Sequence, residues 1–362
     1  MSSPNDCWGC HVTRDSSMSL AEIADIAAEL DELKRFSLDV LGRVWSVDRS
    51  RALLDGPDAA FDGALWAAVR DLGWPDVLVS ERAGGGGATL RELAVLAESA
   101  GTAVAPVPLA AAAAAAWCED RCADGVTLLV PDTATLRGET VSGIFGCVPY
   151  GAVATRLIVA AVSAPDTVLG VVDLAGSGVT RTPVKPLDRN PAAVITLEEA
   201  PLRPLATGAE AVRRHHEAVL RLRVATVAEV VGVASAANAA ATEYAKLRVA
   251  FDRPIGSFQA VKHRLVDQRA AIEVGRALVN RAADACDHQQ ADAEALVSLA
   301  AYWAIDTLRT VPEGATQVFG GIAYTWEHDA HVYLRRVATL VAALGSRAQH
   351  RRVVTGWLTG RV

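Results

Sequence analysis

Apolar positions recur with a helical period in the first third of the chain. They switch to short β-branched runs in the middle and return to a helical period to the end. Residues 21–26 open an amphipathic helix behind Ser19, periodic through Leu41. Residues 61–72 predict a second helix with Leu65, Trp66 and Val69 on one face, stopped at Gly73-Trp74-Pro75. A third spans 90–100, and an alanine-rich helix ends near Trp117. The strand-like runs are 126–130, 140–144, 157–162, 168–173 and 193–197, separated by Gly138-Glu139 and Gly176-Ser177-Gly178. Long helices are then predicted over 209–248, 257–286, 291–309 and 327–344. The pattern predicts an α+β chain: a flexible extension (1–18), an N-terminal helical domain (19–122), a small antiparallel, barrel-like β-domain (123–207) and a C-terminal four-helix bundle (208–362).

Composition narrows the function classes. The chain has 362 residues, 51% of them hydrophobic, which supports substantial buried cores. A net charge of −7 argues against general nucleic-acid binding. No apolar run reaches the roughly 18 residues of a transmembrane helix, and the polar N-terminus lacks a secretory pattern. A cytoplasmic protein without a membrane span is expected. Cys7 and Cys10 form a C-x-x-C pair with no second pair at zinc spacing, so no metal site is predicted. Cys118 and Cys122 lack nearby histidines and are expected to be reduced and structural. Gly84 to Gly87 form a glycine loop before a helix, but no Lys-Ser/Thr follows, so a flexible connection is expected rather than a phosphate cradle.

The densest local signal is YAKLRVAFDRPIGSFQAVKHRLVD, residues 244–267. Pro254 cannot continue a helix, and it pushes its predecessor out of helical geometry. Gly256 frees the backbone and Ser257 is placed to cap a new helix. Two helices are therefore expected to meet at a tight corner, with Arg248 one turn before it and Gln259 just after.

This run resembles a signature of the flavin-dependent acyl-CoA dehydrogenase family, usually close to R-x-Q-F-G-x-P-I-G-x-F-Q-x-x-x-H-x-L-A-D. Residues 317–336 (QVFGGIAYTWEHDAHVYLRR) resemble that family's other C-terminal signature. The order of helices, β-domain and bundle is the architecture the resemblance implies. It further implies FAD, an acyl-CoA substrate, and electron-transfer flavoprotein as the electron acceptor. In the family, FAD lies across a subunit interface. One chain's bundle grips its pyrophosphate and adenine while the neighbour holds the flavin ring and the catalytic base. Matched onto the signatures, Arg248, Phe251, Phe258, Gln259, Gln317, Gly320 and Gly321 are the expected FAD contacts. Arginine suits a diphosphate because it presents a fixed fork of charged donors. Asp252 departs from the pattern, where the family usually has glycine.

The flavin-ring half looks degraded. Residues 126–137 keep Pro131 and Asp132 but lack the expected threonine, glutamate and Gly-Ser pair. Residues 142–151 lack the threonine expected beside the flavin, leaving backbone groups of Val148 and Pro149 or the Tyr150 phenol. The base is also missing. Its usual position is Leu344, before Gly345, and the family's minority position falls near Leu222. The nearest carboxylates, Glu217 and Glu229, each lie more than one turn away and are expected to be solvated helix charges. Glu243 and Glu327 fall within the signatures and are expected to be structural. Dehydrogenation needs a carboxylate to take the α proton, because the thioester carbon acid is weak. The resemblance therefore implies a dimer of dimers, homo- or heteromeric. Its heteromeric form would be an α2β2 enzyme whose second, related chain supplies flavin ring and base, as in actinobacterial members that act on bulky acyl-CoAs such as steroid side chains. A self-sufficient homo-oligomer with an unconventional base, or a non-catalytic scaffold, are the alternatives.

Overall fold

A computed structural model describes residues 20–56, 61–122 and 125–360. The expected extension 1–18, with Cys7, Cys10 and the capping position Ser19, lies outside them. Three helices come first: α1 (Leu20–Val44), α2 (Val47–Asp55) and α3 (Gly63–Asp71). Ser46 and Asp62 cap α2 and α3, each accepting a backbone N–H of the first turn. α4 (Leu90–Thr102) opens on a capping box between Thr89 and Glu92, and α5 (Leu109–Glu119) is the alanine-rich helix.

The glycine loop before α4 is tightly bonded. The N–H groups of Gly85, Gly86, Gly87 and Ala88 donate to the carbonyls of Ser80, Asp76, Val79 and Val77. No Cβ fits at Gly85, which would sit 2.4 Å from Val79 Cβ. The expected flexible connection is thus a closed loop whose backbone donors are already used.

The middle of the chain forms one seven-stranded sheet: β1 (Thr127–Arg137), β2 (Thr140–Val148), β3 (Arg156–Ser163), β4 (Asp166–Asp173), β5 (Val179–Pro183), β6 (Ala193–Pro201) and β7 (Arg203–Thr207). Their order is β5-β6-β2-β1-β3-β4-β7. The barrel-like expectation is corrected here: the sheet is open, because β5 pairs only with β6 and β7 only with β4. It is also mixed, since β1 and β3 run parallel. The two strands missing from the sequence reading are these edges. β5 is almost wholly exposed and ends at Pro183, while β7 carries Pro204, so neither reads as an alternating half-buried run. In place of closure, α5 packs on β1, and the following helix covers β4 and β7.

That helix, α6 (Gly208–Leu247), is 40 residues long and organises the rest. α7 (Gln259–Asp287), α8 (Ala293–Trp303), α9 (Thr310–Phe319) and α10 (Ala330–Ala343) pack around it. The helix expected over 291–309 ends in a π-helical turn at Ala304–Leu308, which leads into α9, a helix that was not predicted. A further helix, α11 (Arg347–Leu358), packs on α8 and was not predicted. α6 contains an 18-residue window apolar enough to cross a bilayer, but 78% of that window is buried inside the fold. Small residues bring its neighbours close. Ala225, Ala228, Ala234, Ala237, Ala241 and Ala245 are fully buried along it. At the crossing with α4 two glycines face each other's helix reciprocally. A Cβ on Gly232 would lie 2.0 Å from the Glu98 carbonyl oxygen, and one on Gly101 would lie 2.1 Å from that of Glu229.

Backbone contact at this crossing leaves no room for a methyl group, and neither atom belongs to a flexible side chain. Gly232→Ala should therefore force the helices apart and lower unfolding free energy by about 3 kcal/mol or more. Chemical denaturation checks this; a change within about 0.5 kcal/mol would show that the crossing is not tight.

Candidate functional site

α6 ends at Leu247, and Arg248 leaves the helix in extended geometry. The chain then forms a two-stranded hairpin, β8 (Val249–Ala250) with β9 (Arg253–Pro254). Its two turn residues, Phe251 and Asp252, both have positive φ, at 54° and 61°. A two-residue hairpin turn requires that conformation to match strand twist. Phenylalanine adopts it at a cost of roughly 1–3 kcal/mol, strain of the kind found at functional sites. The conformation also accounts for the departure at Asp252, since aspartate tolerates the left-handed region that the family's usual glycine favours.

The expected corner of two helices is thus a projecting arm. Ser257 does not cap α7. It lies in a short turn, Ile255–Ser257, with its hydroxyl buried and unpartnered, and Phe258 occupies the capping position. Gly256 is required because a Cβ would sit 2.9 Å from the Ala245 carbonyl oxygen. Phe251 is 88% exposed and meets Phe258 edge to face, with ring centroids 6.2 Å apart. The Arg253 guanidinium lies 4.1 Å over the Phe258 ring. Arg248 and Gln259 are exposed, and Arg248 has no ion-pair partner among the described residues.

The second signature comes to the same end of the bundle. Tyr244, near the end of α6, packs edge to face on Phe319, the last residue of α9, at 5.3 Å. Gln317, two residues earlier, is exposed. Gly320 has φ 70° and ψ −145°, and a Cβ on Gly320 or Gly321 would meet nothing within 4 Å. The loop beyond exposes Ile322, Tyr324 and Trp326, as the arm exposes Leu247 and Val249. An unpaired guanidinium, an exposed amide, open glycine backbone and an apolar rim suit a diphosphate with an attached aromatic base. These residues fit the adenine and pyrophosphate half of FAD.

The flavin-ring half does not fit. Pro131 and Asp132 sit exposed at the irregularity where β1 shifts register against β3. Val148 is buried at the end of β2. The Tyr150 phenol is taken: its oxygen accepts from Arg336 Nη1 at 3.2 Å inside the protein. Leu344 is buried, and its carbonyl bonds the His350 ring at 2.9 Å. Leu222 packs against the core. Glu217 pairs with Arg213 at 2.8 Å on the surface of α6, and Glu243 pairs with Lys246.

Glu229 is not the solvated charge the sequence suggested; it is 4% exposed. Both Arg336 Nε, at 2.9 Å, and Nη2 donate to its Oε1. Arg336 Nη1 also donates to Asp188 Oδ2 at 2.8 Å. Asp188 Oδ1 accepts from the Asn190 side chain, and Asn190 Oδ1 accepts the Tyr150 N–H. The cluster ties α6 and α10 to two loops of the sheet domain. Two carboxylates face one guanidinium, so burial pushes Glu229 above the usual carboxylate range even beside Arg336. Burial works against charge on Arg336, but Glu229, Tyr150 and Asp188 outweigh it and hold its pKa well above the ordinary value. A carboxylate committed to a buried guanidinium is not free to take a substrate proton. Sequence reasoning missed Arg336, Asp188 and Tyr150 as a unit. One signal existed: Arg336 falls on the apolar face of α10 with Val332, Val337, Leu340 and Val341, and a charge there demands a buried partner.

Arg336→Met should cost about 3–5 kcal/mol, because it strands two buried carboxylates. A melting curve tests this, and an unchanged midpoint would mean that the cluster carries no stability. A pH dependence follows from the histidines. Burial lowers the pKa of His215, whose ring bonds the Val130 carbonyl, and of His350. Each of these two rings therefore binds more protons in the unfolded chain than in the folded one, so the stability they contribute, present above about pH 6.5, should be lost as pH falls below it. Thermal melts across that window should show a declining midpoint.

Comparison with known proteins identifies the family. Residues 213–359 match the family model described as acyl-CoA dehydrogenase, C-terminal domain. Acyl-CoA dehydrogenase IpdE2 of Mycobacterium tuberculosis is 32% identical over 297 residues, covering 77% of this chain and 81% of IpdE2. Acyl-CoA dehydrogenase FadE34 of the same organism is 34% identical over 311 residues, covering 80% of this chain. The match takes in 41% of FadE34, so the chain spans about two fifths of that relative's length. The solved Tcur3481-Tcur3483 steroid ACAD superposes with a TM-score of 0.82 at 27% identity, covering 92% of this chain and 98% of that one. The chain belongs to the acyl-CoA dehydrogenase family, oxidoreductases that act on a CH–CH bond.

Proposed function

We propose that this chain is the base-lacking subunit of a heteromeric acyl-CoA dehydrogenase. It lends Arg248, Phe251, Phe258, Gln259, Gln317, Gly320 and Gly321 to a FAD whose flavin ring rests on a related partner chain. The observation that carries the reading is the contrast between the two halves. The arm is exposed and Arg248 has no ion-pair partner among the described residues, whereas each position weighed for the base (Leu344, Leu222, Glu217 and Glu229) is apolar, ion-paired or buried. FAD bound there would supply the acceptor for the β hydride. This chain's part is to neutralise the pyrophosphate through Arg248 and to let backbone approach it at the two glycines. The α proton goes to a carboxylate of the partner. Bulky acyl-CoA thioesters as substrates, electron-transfer flavoprotein as acceptor and a cytoplasmic setting belong to the same reading. They are supported by the resemblance and, for substrate size, by the relative described as a steroid enzyme.

The test is co-expression with a related chain that carries glutamate at the position matching Leu344. Alone, this chain should retain little flavin absorbance near 450 nm and turn over no acyl-CoA; the pair should do both. In the pair, Arg248→Ala should weaken FAD retention about 10- to 100-fold, the worth of one charged hydrogen bond. Glu217→Gln in this chain should leave turnover unchanged. Full flavin loading and turnover by this chain alone would overturn the reading.

A further inference from the structure

Three segments meet at one ring. Phe319, at the end of α9, meets Tyr244 of α6 with centroids 5.3 Å apart and His328 at 4.4 Å, both edge to face. Tyr244 stands at the base of the arm, where its carbonyl accepts the Arg248 N–H at 2.8 Å. Residues 320–327, which carry Gly320 and Gly321, lie between Phe319 and His328 in the chain. Contact between those two rings therefore closes the base of the glycine loop.

His328 also holds the start of the next helix. The Ala330 N–H, at the first position of α10, donates to His328 Nδ1 at 3.1 Å. Asp329, in the capping position, supplies no cap, because its carboxylate pairs with Arg51. His328 thus satisfies one of the free N–H groups at this helix end. An accepting Nδ1 requires the neutral ring, with its proton on Nε2. A second proton would set donor against donor at Ala330 and place a positive charge at the positive end of a helix. Burial is the largest influence on the ring and lowers its pKa; Asp329 acts against it, and His331 and Arg51 act with it.

We infer that His328 is a positioning residue for FAD: its neutral ring holds the glycine loop against the base of the arm, and protonation releases the loop. The inference rests on the proposed FAD half-site and adds a pH dependence to it. Arg248 and the two glycines must reach one diphosphate, so their relative placement sets how firmly it is held.

FAD release from the co-expressed pair, followed by the fluorescence of freed flavin between about pH 7.5 and 5.5, tests this. The wild-type pair should release FAD about tenfold faster at the acid end, the worth of about one hydrogen bond. His328→Asn keeps an acceptor for the Ala330 N–H but does not titrate, so its acid acceleration should shrink to about twofold or less. His328→Phe keeps a ring on Phe319 without the acceptor, and should release FAD about tenfold faster than wild type already at the neutral end. An Asn variant with the wild-type pH profile would overturn the inference, as would a Phe variant that retains FAD like wild type at neutral pH. A wild-type pair that binds no FAD at any pH overturns the heteromeric reading and this inference with it. FAD bound by the pair with a profile unchanged in the Asn variant overturns this inference alone.

Discussion

One buried guanidinium holds the chain's domains in register. Arg336 reaches from α10 to Glu229 on α6 and to Asp188 and Tyr150 on loops of the sheet domain. Removing an arginine from water costs several kcal/mol unless every donor finds an acceptor, so the cluster tolerates one arrangement of its elements. The side chains that anchor it are also the candidates nearest to chemistry on this face. Glu229 and the Tyr150 phenol are spent on structure.

α6 transmits this constraint. Its inward faces set Gly232 and a row of alanines among valines, so α4 crosses it at backbone contact and the bundle helices close around it. A helix seated so firmly gives a fixed direction to the segment beyond its end. Arg248 and the strained turn at Phe251 and Asp252 therefore project from a rigid base. Contact between Tyr244 and Phe319 brings the second signature's glycines to the same end. Two segments separated by about seventy residues of sequence share one surface because both leave the same packed helices. The exposed aromatic and aliphatic rim around them fits a surface that is completed by another chain.

Much of this was legible in the sequence. Helical and β-branched periods located eight of the eleven α-helices of the described residues and five of the strands, because half-buried elements alternate with their own period. The signature residues were legible through the family resemblance, whose pattern of arginine, glutamine and glycines this chain repeats. The edge strands β5 and β7 were not legible, since exposed strands bury too little to show alternation. The arm was read as a helix break, because Pro254 marks an interruption but does not say that the chain pairs with itself across it.

The sequence by itself determined the family, the layering of helices, sheet and bundle, and the absence of a glutamate at Leu344 and Leu222. Those follow from residue identity and local period. Tertiary structure alone decided that the sheet stays open, that the glycine loop spends its donors on itself, and that Glu229 lies buried against Arg336 instead of in water. Each depends on which distant groups meet, and pairing between an aspartate at 188, a glutamate at 229 and an arginine at 336 leaves no periodic trace in the chain.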